Sequence, residues 1–189
     1  MFLAMRRSIS SAIVVLGLVC VTAAFSQPQA PAPTSIARAE QEAEALIAER
    51  IDEERARLAP NAPKLLPNGE LATIARARSQ AMAEGSPFSH QDAQGNYPAI
   101  DMVKARLGPY GSIGENIMME KRGIRGFDPK AFAKTAVDGW MESEEHRENI
   151  LSPDYDRSGI GVAVKGDFAY ATQVFRGSPK TSIRGQTQP

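Results

Sequence analysis

The feature that most constrains this fold is a pair of short apolar runs near the C-terminal end. They are residues 159–164 (GIGVAV) and 168–175 (FAYATQVF), separated only by Lys165, Gly166 and Asp167. Apolar, β-prone runs around a tight Gly-Asp turn spell an antiparallel hairpin. Alternation from Phe168 puts Tyr170, Thr172 and Val174 on one face and Ala171, Gln173 and Phe175 on the other. It does not say which face meets which neighbour. Nearly everything upstream of the hairpin reads as helix. Helices that precede strands, instead of alternating with them, give an α+β class and exclude a doubly wound parallel sheet.

The upstream helices are legible from caps and periodicity. Thr34 and Ser35 are good N-caps for a long helix over 36–58, whose narrow apolar stripe (Leu46, Ile47, Ala48, Ile51, Leu58) suits a helix on the surface of the domain. Residues 61–67 read as a Pro-rich loop. Asn68 caps a second helix over 69–84, stopped by Gly85, Ser86 and Pro87. A long polar loop carrying His90 follows, then a short amphipathic helix over 99–107. The segment GPYGSIGENIMM predicts a glycine-permitted turn presenting Glu115, a local turn role for Asn116 and a short strand over 117–119. Asp128 followed by Pro129 starts a helix whose apolar face is Phe132, Ala136, Val137, Trp140 and Met141, running to about residue 143 with a further turn over 144–148.

The two ends have a different character. Arg6 and Arg7, the apolar run IVVLGLVCV and the small-x-small sequence Ala24, Phe25, Ser26 read as a secretory signal peptide cleaved after Ser26. Val19 before Cys20 argues against lipidation. Residues 27–35 read as a linker, 36–176 as the folded domain and 177–189 as a disordered tail. Cleavage removes the only cysteine and two arginines, leaving 20 basic against 22 acidic side chains, a net charge of −2. With no basic excess, nucleic acid is excluded as a partner. No membrane span is expected after cleavage, and the location is secreted or periplasmic.

The order of motifs, FSH, GENI, WMESEEHRENIL, GIGVAV and YATQVF, resembles the CAP superfamily of cysteine-rich secretory, antigen 5 and pathogenesis-related-one proteins, in its bacterial SCP-like branch. The resemblance implies an α-β-α sandwich with a small antiparallel sheet between helical layers. Many members carry two histidines and two glutamates in a surface cleft, and in some the histidines bind a divalent metal. On that pattern His90 matches the first histidine and Glu115 the glutamate of GEN. Ser143 stands where the second glutamate would be, and Tyr170 where the second histidine would be. His146, in the Ser-x-x-His of the bacterial pattern, supplies a histidine from the helix instead.

Ser143 and His146, three apart, share one helical face. The expected cleft is therefore His90, Glu115, Ser143, His146 and Tyr170. His90, His146 and Glu115 are the expected ligands of a divalent ion, zinc or calcium, because two imidazoles and a carboxylate satisfy a three-ligand open site. The bland reading makes His146 and Glu115 a hydrogen-bonded brace. Three functions stay open: a module binding a small-molecule, lipid or envelope ligand, a metal-assisted hydrolase of envelope material, and a structural protein with a vestigial cleft. No nucleophile elbow is visible, which favours binding over catalysis.

Overall fold

The computed structural model describes residues 34–122 and 126–179; the segment expected to be a signal peptide, most of the expected linker and residues 123–125 and 180–189 lie outside them. The hairpin forms as its sequence dictates. Strands β3 (Arg157–Lys165) and β4 (Phe168–Gly177) pair antiparallel with Lys165 opposite Phe168. The loop is thus only Gly166 and Asp167, and Gly166 takes the left-handed φ of +57° that such a turn demands. Strand β4 runs through Gly177, one residue past the expected end of the domain at 176.

Two further strands complete a sheet of order β1-β3-β4-β2. Strand β2 (Ser112–Lys121) pairs antiparallel with β4 along its whole length. It is far longer than the strand expected over 117–119, because Gly114 and Glu115 continue the extended chain instead of turning. Strand β1 (Leu66–Pro67) lies in the segment read as a loop and pairs in parallel with Arg157 and Ser158. Two residues ending in proline carry no periodicity, and Pro67 is tolerated because the strand is at the sheet edge.

The helices cover both faces. α2 (Gly69–Ala83) and α3 (Pro98–Leu107) pack on one side, joining Leu71, Ile74, Ala75, Ala99 and Val103 to Val174. α1 (Ser35–Leu58), α4 (Pro129–Glu142) and α5 (Glu144–Leu151) pack on the other. There Ile47, Ile51, Phe132, Val137, Trp140 and Ile150 meet Ile160, Val162, Ala171 and Phe175. This is the α-β-α sandwich, and it settles the faces of β4: Val174 looks toward α2 and α3, Ala171 and Phe175 toward α1 and α4. Asn68 and Asp128 cap their helices as expected, their side chains accepting from Leu71 N (2.9 Å) and Lys130 N (2.9 Å).

α1 lies in the outer layer, as its narrow stripe suits, with Ala43 and Ile47 fully buried in the larger core; each large aliphatic side chain so buried contributes about 1.5–3 kcal/mol. An unexpected contact is at GIGVAV. A Cβ at Gly159 would lie 2.1 Å from Ala72 N and one at Gly161 2.0 Å from Arg76 N. The alternate glycines are the groove in which the α2 backbone lies, while Ile160 and Val162 pack on the opposite face.

Candidate functional site

The chain between α2 and α3 carries His90 and is braced by its own polar groups. The Asp92 carboxylate accepts from Asn96 Nδ2 (3.0 Å), Asn96 N (2.9 Å) and Gln94 N (2.9 Å), and these bonds, the Asn96 side chain's first, hold its carboxyl below the usual range. The main anchor comes from α2. Arg78, 3% exposed, donates from one guanidinium nitrogen to Ser89 O (2.8 Å) and from Nε to Glu115 Oε1 (3.1 Å). The other oxygen of Glu115 lies 2.8 Å from His90 Nδ1. A single arginine therefore ties the loop to strand β2. Sequence reading missed it, although the signal was present: Arg78 is a charged residue on the otherwise apolar stripe of Leu71, Ile74, Ala75 and Met82.

The other wall is built where α4 meets α5. Trp140 is buried in the core and its Nε1 donates to Ile117 O at 2.9 Å, locking α4 to β2. Ser143 is not inside a helix: its φ of −89° and ψ of 126° make it the joint between α4 and α5. It and His146 nevertheless both line the cleft. Asn116 is fully buried inside β2 instead of in a turn. Its Nδ2 donates to His146 O (3.1 Å) and its Oδ1 accepts from Asn149 Nδ2 (2.9 Å). Asn149 joins this strand-to-helix network and accepts from Tyr155 Oη (3.3 Å).

Between these walls lies a cleft of about 460 Å³, lined by Phe88, Ser89, His90, the β2 stretch 117–119, Gly139, Trp140, Ser143 and His146. The two imidazoles converge there, ring centroids 6.2 Å apart with planes tilted by 47°. Burial first, and then the neighbouring His90, push the His146 imidazole below its usual value, so neutral His146 is favoured. Tyr170 does not reach this cleft. It sits on β4 opposite Met119, which holds the sheet edge, and its ring lies 6.4 Å from Phe168.

The expected metal set does not assemble as three ligands. Both Glu115 oxygens are engaged, one by Arg78 and one by His90, and the side chain is only 5% exposed. Among the described residues no group of three His, Cys, Asp or Glu side chains is placed to hold a metal ion. Glu115 instead stands behind His90, fixing the ring through Nδ1 so that Nε2 is the nitrogen left for the cleft. Nor does a serine–histidine dyad form: among the described residues no hydrogen bond joins Ser143 to His146.

The sequence profile of the cysteine-rich secretory protein (CAP) family matches residues 49–175. The chain belongs to this family. Over 96 residues it is 34% identical to the uncharacterized protein YkwD of Bacillus subtilis, a match covering 51% of this chain and 34% of that protein. It thus spans only about a third of that relative's length. Among solved structures, an extracellular SCP-domain protein of Bacillus anthracis superposes with a TM-score of 0.59 at 26% identity, covering 74% of this chain and 41% of that one. An outer surface protein of Borrelia burgdorferi superposes with a TM-score of 0.60 at 17% identity, covering 73% of this chain and 94% of that one, and so shares the fold. Among the described residues of this CAP chain, no helix is long and apolar enough to cross a membrane.

Proposed function

We propose that this CAP protein is an exported binding module whose cleft takes an envelope or extracellular ligand between His90 and His146. One observation carries the reading: two imidazoles face each other over an apolar floor, one oriented by a buried carboxylate and the other kept neutral by burial. The neutral His146 imidazole offers both an acceptor and a donor, so the cleft suits a ligand with hydroxyl or amide groups attached to an apolar part. Phe88, 45% exposed, and Met119, 39% exposed, supply the apolar rim. Export is supported by the N-terminal leader pattern and by the extracellular SCP-domain relative.

Binding is favoured over hydrolysis because the cleft has no activated nucleophile among the described residues. Ser143 lacks a bonded base there, and the buried acid behind His90, Glu115, is neutralised by Arg78. No step is assigned to a metal, since Glu115 has no free oxygen to ligate one. The test is a titration of the purified protein with soluble muropeptides from digested peptidoglycan, following the ring signals of His90 and His146 by NMR. Saturable shifts at both rings, lost in Phe88→Ala, are expected. Turnover of the muropeptides, or rings that do not respond while other surfaces do, overturns the reading.

A further inference from the structure

Strand β2 is the last strand of the sheet, so one side of its backbone has no neighbouring strand among the described residues. Which groups lie on that side follows from the register with β4. Arg122 N donates to Asp167 O (2.7 Å), one step beyond the pairing of Lys121 with Phe168. Bonded pairs of an antiparallel ladder recur at every second residue, so even-numbered residues of β2 turn their N–H and C=O toward β4 and odd-numbered residues turn theirs outward. The helices answer part of this outward row: Asn149 Nδ2 donates to Glu115 O (3.4 Å) and Trp140 Nε1 to Ile117 O (2.9 Å). At Met119 the row is unanswered. Among the described residues neither its N–H nor its C=O has a hydrogen-bond partner.

Native sheets blunt their free edges, and an edge left open is where an extended chain adds on. This one opens into the histidine cleft, which Met119 itself lines. Apolar surface continues from it along one face of the sheet: Met119 stands opposite Tyr170, whose ring lies 6.4 Å from that of the exposed Phe168. The two ends of the opening differ in charge. Lys121, exposed and on the same face as Met119, stands two residues beyond it. At the other end, around Ser143 and His146, the exposed Glu142, Glu144, Glu145 and Glu148 outnumber the single Arg147. Glu120 is no counterweight to Lys121, since it faces the opposite side of the sheet and bonds Thr135.

Building on the binding role proposed for the cleft, on which this inference rests, we propose that its ligand is a short peptide held extended and parallel to β2 as an added strand. In parallel pairing the Met119 N–H donates to the carbonyl of the peptide residue before the one opposite it. The Met119 C=O accepts from the N–H of the residue after. This direction sets the peptide's N-terminal ammonium beside the glutamates of the joint between α4 and α5 and its C-terminal carboxylate beside Lys121. The antiparallel direction reverses both. A ligand without main-chain amides leaves the Met119 pair unmet.

The probe is the pentapeptide Lys-Ala-Leu-Ala-Glu, its central leucine opposite Met119, titrated into the purified protein and followed by ¹H–¹⁵N NMR together with the imidazole ring signals. Saturable shifts at Met119 and at the rings of His90 and His146 are expected, with hydrogen exchange of the Met119 amide slowed at saturation. N-methylation of the peptide's fourth residue removes the donor to Met119 C=O and should weaken binding at least about fivefold, the factor expected for one net hydrogen bond. Met119→Pro, tolerated on an edge strand, removes the N–H and should do the same, whereas Met119→Leu keeps both groups and should bind within about twofold. A pentapeptide without saturable shifts, an N-methylated peptide that binds the native protein as tightly, or an unchanged Met119 exchange rate at saturation overturns the proposal. Muropeptides that move both rings while the pentapeptide moves neither would exclude the peptide class and leave the cleft a binding site. Rings silent to both ligands would overturn the binding role as well.

Discussion

Glu115 Oε2 lies 2.8 Å from His90 Nδ1 while Glu115 Oε1 accepts from Arg78 Nε at 3.1 Å, so one carboxylate orients an imidazole and neutralises a buried guanidinium together. Arg78 and the Glu115 side chain are 3% and 5% exposed. Glu115→Gln leaves the arginine buried without its counter-charge, a loss of about 3–5 kcal/mol. Urea unfolding measures it. Arg78→Lys keeps the charge but not the fork, and a single ammonium cannot serve both Glu115 and Ser89 O; it should cost about 2 kcal/mol and raise hydrogen exchange over residues 86–97 selectively.

Stability should fall with acid through His146. Its folded-state value is depressed by burial and by His90, so below the ordinary histidine range the unfolded chain binds the proton that the folded chain refuses. More protons on the unfolded state means stability rises with pH. This contribution is complete above about pH 6.5 and is lost as pH drops toward the depressed folded value. Denaturation midpoints between about pH 5 and pH 7.5 should show the slope, and His146→Gln should flatten it. An unchanged slope in the variant would place the effect elsewhere.

Gly161→Ala tests the groove that receives α2. Its Cβ would sit 2.0 Å from Arg76 N, a backbone atom that cannot swing aside. Overpacking at such a contact costs about 3 kcal/mol, and the separation of α2 from β3 would also strain the Ser79 Oγ bond to Gly161 O (2.8 Å). Thermal melting should show the drop, whereas Gly166→Asn, at the open hairpin turn, should cost well under about 1 kcal/mol because asparagine tolerates positive φ.

Two imidazoles without a third free ligand make a poor zinc site. Calorimetry with zinc or calcium should show no site with a Kd below about 1 μM. A tighter site that disappears in both His90→Ala and His146→Ala would mean that Glu115 leaves Arg78 on binding.

Much of the fold was legible because local chemistry repeats: the Asn68 and Asp128 caps, the hairpin turn and the helical stripes each report on residues a few positions apart. The site was legible in its histidines and in Glu115, through the order of motifs. Arg78, Asn116 and Asn149 were not recognised, because their partners lie about 30 to 40 residues away and a polar side chain looks alike whether it faces solvent or a buried acceptor. Tyr170 was placed in the cleft by the order of motifs, at the position where the family's second histidine would stand, and alternation along β4 could not correct this because it says which residues share a face and nothing about which strand closes the sheet edge.

The sequence by itself determined the α+β class, the helix starts, the hairpin and the family, since these rest on periodicity, caps and turn residues that act locally. Only the tertiary structure decided that β2 forms the sheet edge beside α4 and α5, that His90 and His146 meet over it, and that Glu115 belongs to Arg78 and His90 instead of to a metal. Those facts depend on contacts between distant segments. Burial turns a carboxylate that sequence reads as a ligand into the fixed counter-charge of an arginine.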